Sequence, residues 1–396
     1  MRRANLALVL GTIASGPRSR AEVAAGTGLT RAAVSSLAEQ LIAAGLVVEE
    51  GPAAPSGKVG RPGTALGLNP AGPGGLGAEI GVRHLGACVV DLRGEVRAWR
   101  RREVSNHGRE PAAVMAELAH LLHEAVAASG LRPAGLTLAV PGLVGGSGGV
   151  LRRAANLGWR DIPLAAALRP ALRAAGPGPV GDGLAELPIE ADNEANLGGL
   201  AERWLGEGPE DFLYVSAEAG VGAAIVVGGR LLRGAGGYAG EFGHVPVHPD
   251  GPACACGARG CLEQYAGEAA VLRAAGLTGA RGDWVTLLAD RAGAGDTAAL
   301  AALAGAGAAL GTAAAGAVNL LDPTEVVLGG GYARLAPWLL PAMRAELTAR
   351  VAVRPWSGDR LTVSRLGRRG PLLGAAARVV RAVLADPGTL GAGTGA

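Results

Sequence analysis

Aromatic residues make up only 3% of the 396-residue chain, and cysteine occurs four times. So little cysteine excludes a fold stapled by disulfides. A chain of this length has no need of one, because it can bury two or three sizeable cores. No stretch approaches the ~18 consecutive apolar residues of a membrane span. The start, MRRANLALVLGTIASGPRSR, has a basic flank but too short an apolar stretch for a signal peptide, and its pattern fits an amphipathic helix. A soluble globular protein of a reducing, cytoplasmic compartment is expected. Net charge is also small, +3 overall, but its location is informative. Residues 1 to 70 carry seven basic against four acidic side chains, and the remainder is balanced at 30 of each. The whole excess sits where a nucleic-acid-binding module would place it.

What cysteine there is lies bunched. EFGHVPVHPDGPACACGARGCLEQY, residues 241 to 265, holds Cys254, Cys256 and Cys261 at C-x-C-x4-C spacing, with His244 ten residues ahead of the first. Three sulfurs and one imidazole are a donor set that tetrahedral Zn2+ accepts in a closed structural site. Cys254 and Cys256 are too close in sequence for an easy mutual bridge. His248 is a rival to His244 that spacing alone does not eliminate. Cys88 lies apart in an apolar run and reads as a small core residue.

The basic segment has its own organisation. SRAEVAAGTGLTRAAVSSLAEQLIAAGLV predicts a short helix from about Ser19, a turn at Gly26 to Gly28, and a second helix capped by Thr30. Val34, Leu37 and Leu41 share one face of that helix. Arg31, Ser35 and Ser36 lie off this stripe near its N-terminus, where a recognition helix meets base edges and phosphates. LVVEEG and TALGLN read as short strands around the loop PAAPSGKVGRP, completing a winged helix-turn-helix over residues 1–70. Lys58 and Arg61 would be wing contacts to phosphate or minor groove.

A Gly- and Pro-rich linker ends at residue 75, with 71–75 as its core. Beyond it the pattern is α/β. GLGAEIGVRHLGACVVDLRGEVRAWRRREV and FLYVSAEAGVGAAIVVGGRLLRG each read as strand, turn, strand, tight turn, strand, and helical segments follow both. Two such units predict a duplicated fold with a cleft between two lobes, and clefts of this kind hold ligands. A Gly-rich run, GAGAALG at 305 to 311, lacks the preceding strand that a dinucleotide-binding turn requires.

VPGLV (140–144), NLGW (156–159), DNEANLGGLAE (192–202), GEFGH (240–244), the cysteine cluster with GCLE (260–263), and VVLGGG (326–331) resemble the ROK family. That family joins sugar-responsive repressors with sugar kinases of the actin/hexokinase fold. The resemblance implies a two-lobed, RNase H-like duplicated domain behind the winged helix. Its first lobe would span 76–190, completed by a C-terminal helix at about 371–386. The second would span 191–370 with the zinc loop, and 387–396 would form a flexible tail. By the same resemblance His244 rather than His248 is the zinc ligand. Gly142, Asn156, Asn193, Glu194, Glu241, His244 and Glu263 fall on sugar-contacting positions, and zinc on His244 would fix its ring toward the sugar. The partners implied are a sugar effector and an inverted-repeat operator bound by a homodimer or homotetramer.

The chain also departs from the family's kinases. Glu194 stands where their catalytic Asp sits, one methylene longer. The first phosphate loop, D-x-G-G-T in kinases, is Glu79-Ile80-Gly81-Val82-Arg83 here, and G-T-G-x-G is Glu218-Ala219-Gly220-Val221-Gly222. A carboxylate at Glu218 repels the anion that such a loop should cradle. Gly329, Gly330 and Gly331 alone persist near the family's adenosine site. The expectation is a regulator without phosphoryl transfer; the rival is an active ATP-dependent sugar kinase with an added DNA-binding domain.

Overall fold

The computed structural model describes residues 1–52, 64–145, 149–176, 179–206, 208–280 and 282–388. The chain opens with α1 (Arg2–Ala14), β1 (Arg18–Ser19), α2 (Arg20–Thr27), α3 (Arg31–Ala43), β2 (Val47–Pro52) and β3 (Thr64–Leu68). Local chemistry sets both inner helix starts. The Ser19 hydroxyl accepts the Glu22 N–H while the Glu22 carboxylate takes the Ser19 N–H at 2.7 Å, a capping box. Thr30 caps α3 by accepting the Ala33 N–H at 3.2 Å. Gly28, at φ 71°, ends α2 in a left-handed conformation that other residues resist. β3 lies between β1 and β2, antiparallel to both. This is the element order and pairing of a winged helix-turn-helix. Arg31 and Ser36 are exposed and Ser35 half-buried at the start of α3; Lys58 and Arg61 lie outside the described residues.

The next stretch forms β4 (Gly74–Ile80), β5 (His84–Val90), β6 (Val96–Glu103), α4 (Pro111–Ser129) and β7 (Pro133–Val140). A small hairpin layer follows, β8 (Leu143–Gly145), β9 (Val150–Ala154) and β10 (Trp159–Pro163), then α5 (Leu164–Ala175), α6 (Pro179–Glu186) and β11 (Ile189–Asn193). The five-stranded sheet runs β11-β7-β4-β5-β6, with β4 antiparallel to β5 and parallel to β7. Two expected boundaries shift. β4 already begins at Gly74, inside the expected linker, and the first-lobe sheet continues through Asn193, past residue 190, because β11 pairs in parallel with β7.

The second lobe comprises α7 (Glu194–Leu205), β12 (Phe212–Ala217), β13 (Val221–Val227), β14 (Arg230–Leu231), α8 (Glu263–Ala266), α9 (Glu268–Ala274), α10 (Trp284–Gly293), α11 (Thr297–Leu321), β15 (Glu325–Gly329), α12 (Gly330–Arg350) and β16 (Leu361–Val363). Its sheet runs β14-β13-β12-β15-β16, with β12 antiparallel to β13 and parallel to β15. Third, second, first, fourth, fifth is the order in both sheets. The fold is therefore duplicated, as the paired strand patterns implied.

Helix α11 corrects one expectation. It is long and apolar enough, by length and composition, to cross a membrane, although no such run was expected. Its Ala- and Gly-rich sequence instead lets α12 approach closely: a Cβ on Gly307 would meet the Leu339 carbonyl, and Ala306, Leu310 and Ala314 are buried in the second-lobe core. GAGAALG lies within this helix.

The last helix, α13 (Gly370–Ala385), returns to the first lobe. It lies on β4 because Gly75 and Gly77 have no side chains there; a Cβ on either would strike backbone oxygen, Ala376's or Leu372's. Its other side meets the winged helix. Val9, Leu10 and Ile13 of α1 join Val90 of β5 and Leu372, Ala376, Val380 and Val383 of α13 in one apolar cluster, with Cys88 buried among them. The N-terminal module and the first lobe thus share a core.

Candidate ligand cleft and metal centre

The cleft between the lobes has a volume of about 350 Å3 and is lined by Gly142, Asn156, Asn193, Glu194, Glu241, His244 and Glu263. Asn193 ends β11 and caps α7, its Oδ1 accepting the N–H groups of Ala195 at 2.8 Å and Asn196 at 3.3 Å. Its Nδ2 donates to the Gly142 carbonyl at 2.9 Å. Gly142 sits at φ 105° where a Cβ would strike the Arg153 carbonyl, so only glycine brings the β7–β8 turn this near. Across the cleft, Glu263 Oε2 accepts the Val221 N–H at 3.2 Å. Glu194, the first residue of α7, has its pKa pushed well above the usual carboxylate range by burial and then by the Glu218 and Glu79 charges. Burial also raises Glu241.

The residues of the cysteine loop converge. The ligand atoms of His244, Cys254, Cys256 and Cys261 all lie within 4.8 Å of one another, with Cys254 Sγ 3.8 Å from His244 Nδ1 and Cys256 Sγ 3.7 Å from Cys261 Sγ. Ligands 2.3 Å from a tetrahedral centre would stand about 3.8 Å apart, so the spacing fits a metal ion. All four cysteines are free thiols, and Cys254 and Cys261 are buried. Burial and the neighbouring sulfurs push the Cys261 thiol up to about 12, a cost that a bound dication reverses. The loop is folded around its ligands: Cys254 N–H donates to Ala258 at 2.8 Å, Gly257 N–H returns to Cys254 at 3.0 Å, and Pro246 bridges Cys261. His248 lies outside this cluster and is exposed.

Several arginines bear on the cleft that sequence spacing did not single out. Arg153 on β9 reaches across it, Nη2 donating at 2.7 Å to the carbonyl of Ala255, which lies between Cys254 and Cys256. At the expected phosphate loops, Arg83 pairs with Glu268 of α9 across the lobes. Glu218 is held by Arg368 through two hydrogen bonds of 2.9 and 2.6 Å, and Arg368 also reaches Asp283 at 2.7 Å. Gly330, at φ 54°, packs on Ala217 at the start of α12. No local signal marks these pairs, because each joins residues more than 80 apart in sequence.

Asp192, 3% exposed at the end of β11, takes Arg233 at 2.6 Å and Arg378 of α13 at 2.7 Å. Burial opposes ionisation, but the Arg233 guanidinium holds the carboxyl below its usual range. A depressed carboxylate contributes stability above its unfolded pKa of about 3.9, lost as pH falls through the lower folded value. Asp192→Asn should therefore cost roughly 2–3 kcal/mol at pH 7 and flatten the acid limb of a stability-against-pH curve from urea titrations. An unchanged acid limb would refute this role.

The duplicated five-stranded lobes, the cleft and the His/Cys cluster define a protein of the hexokinase-like sugar-kinase and regulator class. The ROK family model matches residues 75–382, and the chain belongs to the ROK family. It is 28% identical over 369 residues to the xylose repressor of Bacillus subtilis strain 168, covering 92% of this chain and 91% of that one. A solved ROK family transcriptional regulator, a homologue of the E. coli MLC protein, superposes with a TM-score of 0.77 at 25% identity, covering 97% of each chain. A ROK family glucokinase from Streptomyces griseus, solved with glucose and AMPPNP, gives 0.63 at 25% identity over 77% of this chain and 98% of its own.

Proposed function

We propose that this protein is a sugar-responsive transcriptional repressor, in which Gly142, Asn156, Asn193, Glu194, Glu241, His244 and Glu263 bind the effector and no phosphate is transferred. The observation that carries this reading is its extent. Regulators match essentially the whole chain, winged helix included, whereas the glucokinase is accounted for by the two lobes. Zinc is the proposed metal on His244, Cys254, Cys256 and Cys261. Nδ1 of His244 faces Cys254 Sγ at 3.8 Å, so that nitrogen would hold the ion beside the three sulfurs and leave Nε2 for the cleft.

The cleft chemistry supports a receptor rather than an enzyme. A catalytic base must be ionised to take a proton from the attacking hydroxyl. Burial and the neighbouring Glu218 and Glu79 carboxylates raise the Glu194 pKa well above the usual carboxylate range, which disfavours the ionised form that a base requires. Where the nucleotide's phosphates would lie, Glu218 is engaged by Arg368 and Arg83 by Glu268, so anion-binding guanidinium groups already have internal carboxylates.

DNA contact is assigned to Arg31, Ser35 and Ser36 of α3, with Lys58 and Arg61 on the wing, in a homodimer on an inverted repeat. Full-length protein should lose operator affinity as D-xylose or another cognate sugar from a pentose, hexose and amino-sugar panel is added, by about 5- to 150-fold. Arg31→Ala should cost about 1–3 kcal/mol of operator binding, and Lys58→Ala should lower the salt slope by about one. Tight sugar binding with no change in operator affinity would refute the coupling. Sugar-dependent ADP formation abolished by Glu194→Gln would establish the kinase instead.

A further inference from the structure

A second cavity, of about 380 Å3, lies between the winged helix and the first lobe. That is the size of small-molecule sites, which favour domain junctions. The end of α1, strands β2 and β3, the β5–β6 turn, the end of α7 and the outer side of α13 all contribute wall. Most of the lining is aliphatic, but its charge is unbalanced. Arg93 is satisfied by Glu50 and by the Leu68 carbonyl. The Arg381 guanidinium has no hydrogen bond or ion pair among the described residues, and lies over the Trp204 ring, 5.7 Å from its centroid. Arg381 is exposed at the rim of the cavity, and partial desolvation and then the neighbouring Arg203 charge lower its pKa, so the rim carries positive potential. Arg203 pairs with Glu210 at 3.2 Å, leaving only its buried Nε without a partner among the described residues.

We propose that this cavity binds a small organic anion, one carboxylate or phosphate on an apolar or aromatic body. The anion pairs with Arg381, and the body lies against Trp204 and the aliphatic wall. A guanidinium stacked on an aromatic ring presents its N–H edge for such a charge-assisted pair. The site also communicates with the cleft. Helix α7 begins at Asn193 and Glu194 in the sugar cleft and ends at Trp204 and Leu205 in this cavity, 12 residues later. An occupant therefore touches the DNA-binding module and a helix that starts at the other site. Binding here requires neither the sugar nor the DNA assignment.

The test uses full-length protein labelled with 5-fluorotryptophan, the Trp204 resonance being assigned by its loss in Trp204→Phe. Phenyl phosphate and benzoate should each move that resonance saturably. Arg381→Ala should weaken the binding by about tenfold or more, and Arg381→Lys should retain part of it. Glu241→Ala, in the sugar cleft, should leave it unchanged. Benzyl alcohol, without the charge, and inorganic phosphate, without the body, should both bind more weakly. Absence of a saturable shift with either organic anion, equal binding in Arg381→Ala, or equal binding of benzyl alcohol or inorganic phosphate would overturn the proposal.

Discussion

Cys256→Ser is expected to reduce bound zinc from about one per chain to near zero and to lower the unfolding midpoint by roughly 10 °C. A ligand present at a thousand times its dissociation constant stabilises the native state by about 4 kcal/mol, and a domain of this size shifts by roughly 2–4 °C per kcal/mol. Cys256 is the informative position because it is half-buried, whereas Cys254 and Cys261 are buried. Serine at 256 removes a thiolate and disturbs little packing, so the loss reports on the metal. Calorimetry with and without a strong chelator checks the attribution. Wild type in chelator should fall to the variant's midpoint, and the variant should not move. Freshly purified wild type without zinc, or a chelator shift as large in Cys256→Ser as in wild type, would refute the structural zinc. Because His244 is shared between the cluster and the cleft, Cys256→Ser should also weaken sugar binding.

The other large effect concerns α13. Gly374→Ala should destabilise the protein by about 1–3 kcal/mol, while the same substitution at Gly316 should stabilise it by about 0.5–1 kcal/mol. Both glycines are helical and differ in what surrounds them. A Cβ on Gly374 would strike the Leu197 carbonyl of α7, and Ala201 is close behind; a Cβ on exposed Gly316 of α11 meets nothing within 4 Å. Backbone oxygen on a packed helix cannot move aside as a side-chain tip can, so α13 must lift from α7. Since α13 also carries the α1 contact, Gly374→Ala should blunt the effect of sugar on operator binding beyond its cost in stability. Urea titrations of both variants measure the contrast, and equal signs would refute it.

What was legible in the sequence was local. Ser19 and Thr30 cap their helices and Gly28 ends the first, because a cap or a left-handed turn is decided by residues within three or four positions. The donor set at 244–261 was legible because soft ligands on one short loop can meet only near each other. His244 could not be separated from His248 by spacing; a turn at Phe242–His244 brings the first into the cluster, and the second lies outside it. Strand patterns announced the duplication, but the register of β11 beside β7 placed the lobe boundary beyond residue 190. Helix α11 meets a length-and-composition test for a membrane span that was not expected from the sequence, because an Ala- and Gly-rich helix packed on α12 carries a hydropathy comparable with that of one made for lipid.

Sequence alone therefore determined the helix starts of the N-terminal module, the bunching of three cysteines on one loop and the repeated sheet, while the family resemblance pointed to the residues that line the cleft. Tertiary structure decided that Arg83 meets Glu268 and Arg368 meets Glu218, and that Arg381 lies over Trp204 with no carboxylate paired to it among the described residues. It also decided that α13 joins the first lobe to the N-terminal module in one core. The physical reason is range. Capping, turns and periodicity are enforced by neighbours along the chain, whereas ion pairs between lobes and the packing of a C-terminal helix on an N-terminal one depend on where folding brings distant segments. A single sequence carries no local mark of that placement.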